Sequence, residues 1–445
     1  MEIPPSRLDR WQVGVVLGLF LFALYLALPY HFLADSRYAF VLSESLLKKG
    51  SFALDGFFEP PFEPHLARWE EARGHRFFYY PPGSSILSMP FVAAMNLAGL
   101  SAVTSDQRHD LQAEVRMQAL LAAAVSALFA VRCLRLARRF LPPGPSLAIF
   151  AGVALGSQVL STASRTLWSD TWGLLLLVGV VDVLLRLEDG AGRAVPLPPG
   201  RQAIGLVALG TLLSWTYFVR PTHAISAGVV AVYVVLLLRW RAIPLAATGL
   251  TWLALFVFTS LKTLGAPLPA YYQASRLEFK EFGTALAANL VSPSRGLLVY
   301  VPVLLFCGLL LVRHRRRLLH RRLVVVALCV STLHLVSISG YWQWWAGHSY
   351  GPRFTTGLLP WLVLLAILSL RAWTDARREA ELTPGRWHAE AYAGMALLAL
   401  GVLVNVPGTL QTAEAWNLVT PDIDADPHRV FDWRDPQFLS PFTRR

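Results

Sequence analysis

Apolar runs close to 20 residues long recur through the chain, and a run of that length limits what the backbone can become. In a hydrocarbon core roughly 30 Å thick no water satisfies peptide groups, so a spanning segment is a helix or a strand of a closed barrel. The runs here are continuous rather than alternating in polarity, which argues against barrel strands and leaves helices. Composition agrees: the 445 residues are 55% hydrophobic and 15% charged, with a mean hydropathy of +0.47. That is too apolar for a soluble globular protein of this size. The expected fold is an all-α polytopic membrane protein with about 11 transmembrane helices and juxtamembrane helices in a long first external loop.

The formal net charge of +12 would suggest nucleic acid in a soluble chain. Here the arginines gather at the ends of apolar runs, as cytoplasmic loops require, so no nucleic-acid partner is expected and membrane lipids are. Cys133, Cys307 and Cys329 fall in or at the end of apolar runs without metal-like spacing, so neither a disulfide framework nor a metal site is expected. No phosphate-loop or dinucleotide fingerprint and no internal repeat is visible; no nucleotide or other cofactor is expected. The first run lacks a small-residue cleavage site and reads as a retained helix rather than a signal peptide.

Residues 1–10 carry Arg7 and Arg10 and are expected on the cytoplasmic side of the inner, or plasma, membrane. The first span covers about 11–33, and residues 34–112 form the external loop, with polar Pro-rich or charged stretches at 57–64 and 68–76. The apolar segment 86–100 inside that loop is short and contains Pro90, so it is expected to lie in the interface. Further spans fall at about 114–136, 145–163, 170–186, 203–218, 222–238, 243–264, 297–312, 323–339, 354–370 and 390–408. This register places the basic groups at 132–139, 239–241, 313–322 and 371–378 inside; the opposite register would put the strongest of them outside. Residues 1–408 then form the transmembrane domain, and 409–445 a short external tail expected to pack over the cavity as a lid.

The informative residues are the charges left at external helix ends, because charge at membrane depth lines a cavity or has a partner. Asp35 follows the first span in Ala34-Asp35-Ser36-Arg37-Tyr38, ahead of an amphipathic segment closed by Lys48-Lys49-Gly50. It is placed to serve as a base for a lipid-borne substrate, to cap the next helix, or to pair with Arg37. Asp170, after Arg165 in the turn before the fourth span, is either a helix cap or a second carboxylate facing Asp35. Arg220 precedes Pro221 at a helix start, Arg295 follows Ser292-Pro293-Ser294, and Arg353 ends a loop rich in Trp and Gly. Arginines at helix N-termini suit a bound phosphate, and equally an interface anchor. Aromatic rings in that loop suit a sugar face or an interface belt. Arg165, Arg220, Arg295 and Arg353 are thus candidate phosphate ligands; Arg37, Tyr38, Tyr80, Trp345, His348 and Tyr350 are candidate substrate contacts.

Ala34-Asp35-Ser36-Arg37-Tyr38, with the helix ending Lys-Lys-Gly, resembles the first external loop of GT-C fold glycosyltransferases. The nearest groups are bacterial protein O-mannosyltransferase-like enzymes and the aminoarabinose transferases of lipid A. Pro81-Pro82-Gly83, Trp168-Ser169-Asp170, 292–297 and 349–354 are similar to further stretches of such proteins. The resemblance implies a GT-C-like fold, a polyprenyl-phosphate sugar donor, a lipid, glycan or protein acceptor, and Asp35 as catalytic base or acceptor-orienting acid. Many members have Asp-Glu where this chain has Asp35-Ser36, so a second acid is missing there. The implied function is glycosyl transfer to a hydroxyl on the non-cytoplasmic face, with Asp35 or Asp170 as base. A transporter or flippase of a lipid-linked sugar is the rival; it would show repeats and midplane charge. An O-antigen-type polymerase or ligase and a scaffold without chemistry are the remaining alternatives.

Overall fold

The computed structural model describes residues 7–57, 69–191, 199–379, 383–411 and 414–443. The Pro-rich stretch expected at 57–64 and Arg68 lie almost wholly outside them. In chain order the main elements are α1 (Arg7–Ala27), α2 (Ala39–Lys49), β1 (Trp69–Ala72), β2 (His75–Phe78), α3 (Gly83–Leu97), α4 (Leu111–Ala137), α5 (Pro143–Ala154), α6 (Ser169–Ala191), α7 (Pro199–Val219) and α8 (Ala224–Leu238). They continue with α9 (Ile243–Leu264), α10 (Phe282–Val291), α11 (Leu297–Tyr300), α12 (Val303–Arg313), α13 (Arg321–Ser339), α14 (Leu359–Arg378) and α15 (Pro384–Asn405). The chain is therefore mostly helical, and among the described residues one two-stranded hairpin is its sheet.

Six helical stretches among the described residues are long and apolar enough to cross a membrane: Leu111–Ala137, Gly200–Val219, Pro221–Leu264, Arg321–Ser339, Arg353–Arg378 and Pro384–Thr409. The chain has the character of a helical membrane protein. Several expected spans are shorter or broken, two of them at prolines. α1 stops at Ala27 rather than continuing to 33, because Pro29 disfavours helical geometry at Leu28. The run 297–312 divides into α11 and α12 at Pro302, which has no N–H to continue the ladder. The run 145–163 divides after α5, and a π-helical turn, Val159–Ala163, follows. Within Pro221–Leu264, α8 and α9 are separated by the 3₁₀ turn Arg239–Ala242, whose first residue has φ 53°. α3 has 15 residues, about 22 Å of rise, which is short of a hydrocarbon core.

The chain forms two compact units. The first comprises Met1–Tyr30, Ala123–Arg165 and Glu278–Arg445; the second comprises His31–Ala122 and Thr166–Leu277. In the second unit α2 packs on α3, α3 on α7, and α7 on both α6 and α9. The Tyr80-Pro81-Pro82-Gly83 corner sets α3 against the end of α7 with no space for a side chain: a Cβ on Gly83 would lie 2.5 Å from the Phe218 carbonyl. The hairpin pairs Trp69 with Phe78 and Ala72 with His75. In the first unit α14 packs against α5, α12 and α13, while α15 packs against α5 and α12. The described part of the tail belongs to this unit. Trp416, Ile423 and Val430 are buried in one cluster with Trp344, Trp345, Ala285 and Ala288.

Candidate functional site

In the second unit, Asp35 stands on a tight turn. The Arg37 amide donates to the Ala34 carbonyl at 3.0 Å and the Ala39 amide to the Ser36 carbonyl at 2.9 Å. Ser36 is buried; its hydroxyl meets the Thr166 hydroxyl at 3.0 Å, and its carbonyl accepts the Gln118 side-chain amide at 2.7 Å. Tyr38 has φ 74°, and α2 begins directly after it. The first amides of α2 are satisfied from another helix: the fully buried Glu114 of α4 accepts Tyr38 N–H at 3.1 Å and Phe40 N–H at 3.0 Å. An anion there also opposes the positive end of the helix dipole. Glu114 accepts two further bonds, from His109 Nε2 at 2.8 Å and Gln118 Nε2 at 3.0 Å.

This geometry gives the capping of α2 to residues other than Asp35. The N-cap of α2 is Tyr38, and Glu114 serves the amides that Asp35 was a candidate to cap. Arg37 makes no ion pair among the described residues; its guanidinium lies over the Tyr38 ring, 5.2 Å from the centroid. Asp35 and Arg37 are half-buried on a turn whose backbone is otherwise fixed.

Asp170 and Arg220 are brought together. Asp170 sits in the first turn of α6 and Arg220 directly after α7, and they form a buried ion pair. Arg220 donates further to the Thr222 hydroxyl at 3.1 Å and the Ser169 hydroxyl at 3.3 Å. Each is the other's counter-ion, which is how a low-dielectric interior tolerates them.

The second unit also contains an apolar cavity of about 300 Å³, lined by Leu42 and Ile86, by Tyr80 and Phe78, and by Trp215, Phe218, Trp252 and Phe256. Tyr80 stands at its wall among other rings, 5.4 Å from both Tyr79 and Tyr271. The Tyr272 hydroxyl donates to the Phe218 carbonyl at 2.8 Å and ties the 270–272 turn to α7.

The first unit holds the remaining candidates. Arg165 is fully buried, donates to the Tyr25 carbonyl at 2.6 Å and the Ser164 hydroxyl at 3.2 Å, and leaves Nη1 without a hydrogen bond. Burial lowers its pKa to about 10, which leaves it a cation at neutral pH. Arg295 is different. Its five N–H groups meet the carbonyls of Trp345, Ser294 and Gly347 and the side-chain oxygens of Gln437 and Asn417, at 2.5–3.2 Å. No donor remains for a phosphate, and that expectation is corrected: Arg295 clamps the tail to the 341–353 loop. Arg353 is buried at the start of the 3₁₀ turn Arg353–Leu358.

Tyr350 is buried too; its hydroxyl donates to the Val404 carbonyl at 2.7 Å and its ring packs edge-on to Tyr300. Its place as a substrate contact is corrected to a core position. Its neighbour Gly351 has φ 60° and abuts Tyr300, so only glycine fits there. The Trp345 indole donates to Asp424 Oδ1 at 2.6 Å, and His348 Nε2 lies 3.0 Å from Asp422 Oδ1.

Glu114 and the tail residues Asn417, Asp422, Asp424 and Gln437 were not among the sequence candidates. Glu114 is an acid in a helix start whose contacts with the Asp35 turn lie 74 and 76 residues away, so spacing carries no signal of that role. Comparison with protein-family models gives no match, and comparison with curated proteins gives none.

Proposed function

We propose that the protein is an integral-membrane glycosyltransferase of GT-C type, using a polyprenyl-phosphate sugar as donor and a hydroxyl of a lipid, glycan or protein as acceptor. The observation that supports this reading is the placement of Asp35: a half-buried carboxylate on a turn locked by Glu114, Gln118 and Thr166. A base whose backbone cannot shift is preorganised for proton abstraction. In the same unit, the aromatic cavity that includes Leu42 of the following helix offers an apolar surface suited to an isoprenoid chain.

In this reading Asp35 takes the proton of the acceptor hydroxyl as its oxygen bonds to C1 of the sugar. The C1–O bond to phosphate breaks, and polyprenyl phosphate leaves with the electron pair. The centre inverts and the transition state is oxocarbenium-like. Arg37 is the cation nearest in sequence for the developing phosphate charge. The reading includes the eleven-span arrangement in the plasma membrane, with basic loops cytoplasmic and Asp35 on the external face.

The test is incubation of nanodisc-held protein with a panel of polyprenyl-phosphate sugars and mass spectrometry of released polyprenyl phosphate. Release that Asp35→Asn abolishes supports the transferase. Undiminished release by Asp35→Asn removes the proposal, and donor movement across liposomes without release replaces it with a flippase.

A further inference from the structure

Three side chains from two distant segments of the first unit converge near its tail. His348 comes from the Trp-rich loop, and Asp422 and Asp424 from the tail. His348 Nε2 lies 3.0 Å from Asp422 Oδ1 and 3.6 Å from Asp424 Oδ2, and one ligand atom from each residue falls within 4.8 Å of the others. Two ligands each about 2.1 Å from one ion, at angles between a right angle and the tetrahedral value, are about 3.0–3.4 Å apart. The two distances from His348 are close to those of neighbouring ligands on a single cation, and the three atoms together lie within 4.8 Å.

The carboxylates are oriented from behind. Asp422 Oδ1 accepts the Asp424 amide at 2.8 Å; Asp424 Oδ1 accepts the Trp345 indole at 2.6 Å and the Gln343 side-chain amide at 3.2 Å. Such outer partners are what fix the direction of metal-binding carboxylates. Ile423, between the two acids, is fully buried against Trp344, Trp345 and Trp416, so the backbone that presents them is anchored. The outward side is open: the side chains of His348, Asp422 and Asp424 are 31%, 35% and 46% exposed, which gives an ion and its waters a way in.

We infer that His348, Asp422 and Asp424 bind one divalent cation of the Mn²⁺ or Zn²⁺ class, which ties the tail to the 341–353 loop. One imidazole with two carboxylates and water suits these ions, whereas Ca²⁺ and Mg²⁺ favour all-oxygen sites. The inference does not depend on the transferase reading, since it concerns ligands rather than reaction.

The experiment uses full-length protein in nanodiscs, stripped with chelator and dialysed, then titrated with Mn²⁺ while free Mn²⁺ is read by paramagnetic resonance. One site is expected, displaced by Zn²⁺ and not by equal Mg²⁺. His348→Ala and Asp424→Asn should each lose the site, and Gln343→Ala, which removes an orienting partner only, should weaken it about tenfold. Size-exclusion profiles identify variants that remain folded, and Asp422→Asn replaces any that do not. Absence of Mn²⁺ binding by the wild type, or equal binding by the folded variants, overturns the inference and leaves His348 as a hydrogen-bond partner of Asp422.

Discussion

Asp170 and Arg220 close on each other as a buried ion pair, their side chains 1% and 5% exposed. Each is held by the fold before any ligand arrives. Arg220→Met strands the carboxylate and should cost about 3–5 kcal/mol, whereas Asp170→Leu with Arg220→Met should recover most of that loss. Thermal unfolding in detergent reads both. Were the pair a ligand site instead, the double variant would fold and lose transfer.

Asp35 is predicted to behave in the opposite way, because its backbone is fixed by other residues. Asp35→Asn keeps the size of the side chain and should leave unfolding unchanged. Turnover should fall by about 10²–10⁴-fold, the usual contribution of a positioned base, while donor binding persists. Polyprenyl phosphate release and donor binding, measured on the same preparation, separate the two effects.

The helices were legible in the apolar runs because burying a continuous apolar stretch needs no distant partner. Their ends were less so: Pro29 and Pro302 stop helices that hydropathy alone would continue. The turn at Asp35 was legible only as a charge after an apolar run; what holds it, Glu114, Gln118 and Thr166, comes from distant segments. The roles of the arginines were not legible, since residue type gives a cation at a helix end and only the tertiary fold supplies what neutralises it. Arg220 finds an acid 50 residues away and Arg295 a set of carbonyls and amides up to 142 residues away. His348 and Asp422 are 74 residues apart, beyond any ligand spacing a sequence scan would register.

Glu114 makes a sharper test of preorganisation. Glu114→Gln keeps the shape and replaces one acceptor oxygen by an NH₂ group. That donor would face a backbone amide of Tyr38 or Phe40, or the Gln118 or His109 side chain. A cost of about 1–3 kcal/mol is expected from the unsatisfied donor. The turn carrying Asp35 loosens with it, so turnover should fall by up to about 10²-fold without loss of donor binding. A variant with wild-type turnover and lowered stability would show that the rigidity of the turn matters only to folding.

Arg295 provides the complementary case, a buried cation whose function is to hold chain segments together. Burial lowers its pKa to about 10, so it remains charged at neutral pH while five hydrogen bonds replace its water. Lysine carries the same charge but has three donors on one nitrogen and cannot reproduce the planar fork. Arg295→Lys should therefore leave at least two acceptors unserved, among the Trp345, Ser294 and Gly347 carbonyls and the Gln437 and Asn417 side chains. A stability loss of about 2–3 kcal/mol is expected from the charged hydrogen bonds. The loss should be local: limited proteolysis should cut the tail beyond 409 in Arg295→Lys while the second unit resists as in the wild type. Equal cleavage of both regions would mean that Arg295 supports the first unit as a whole rather than the seating of its tail.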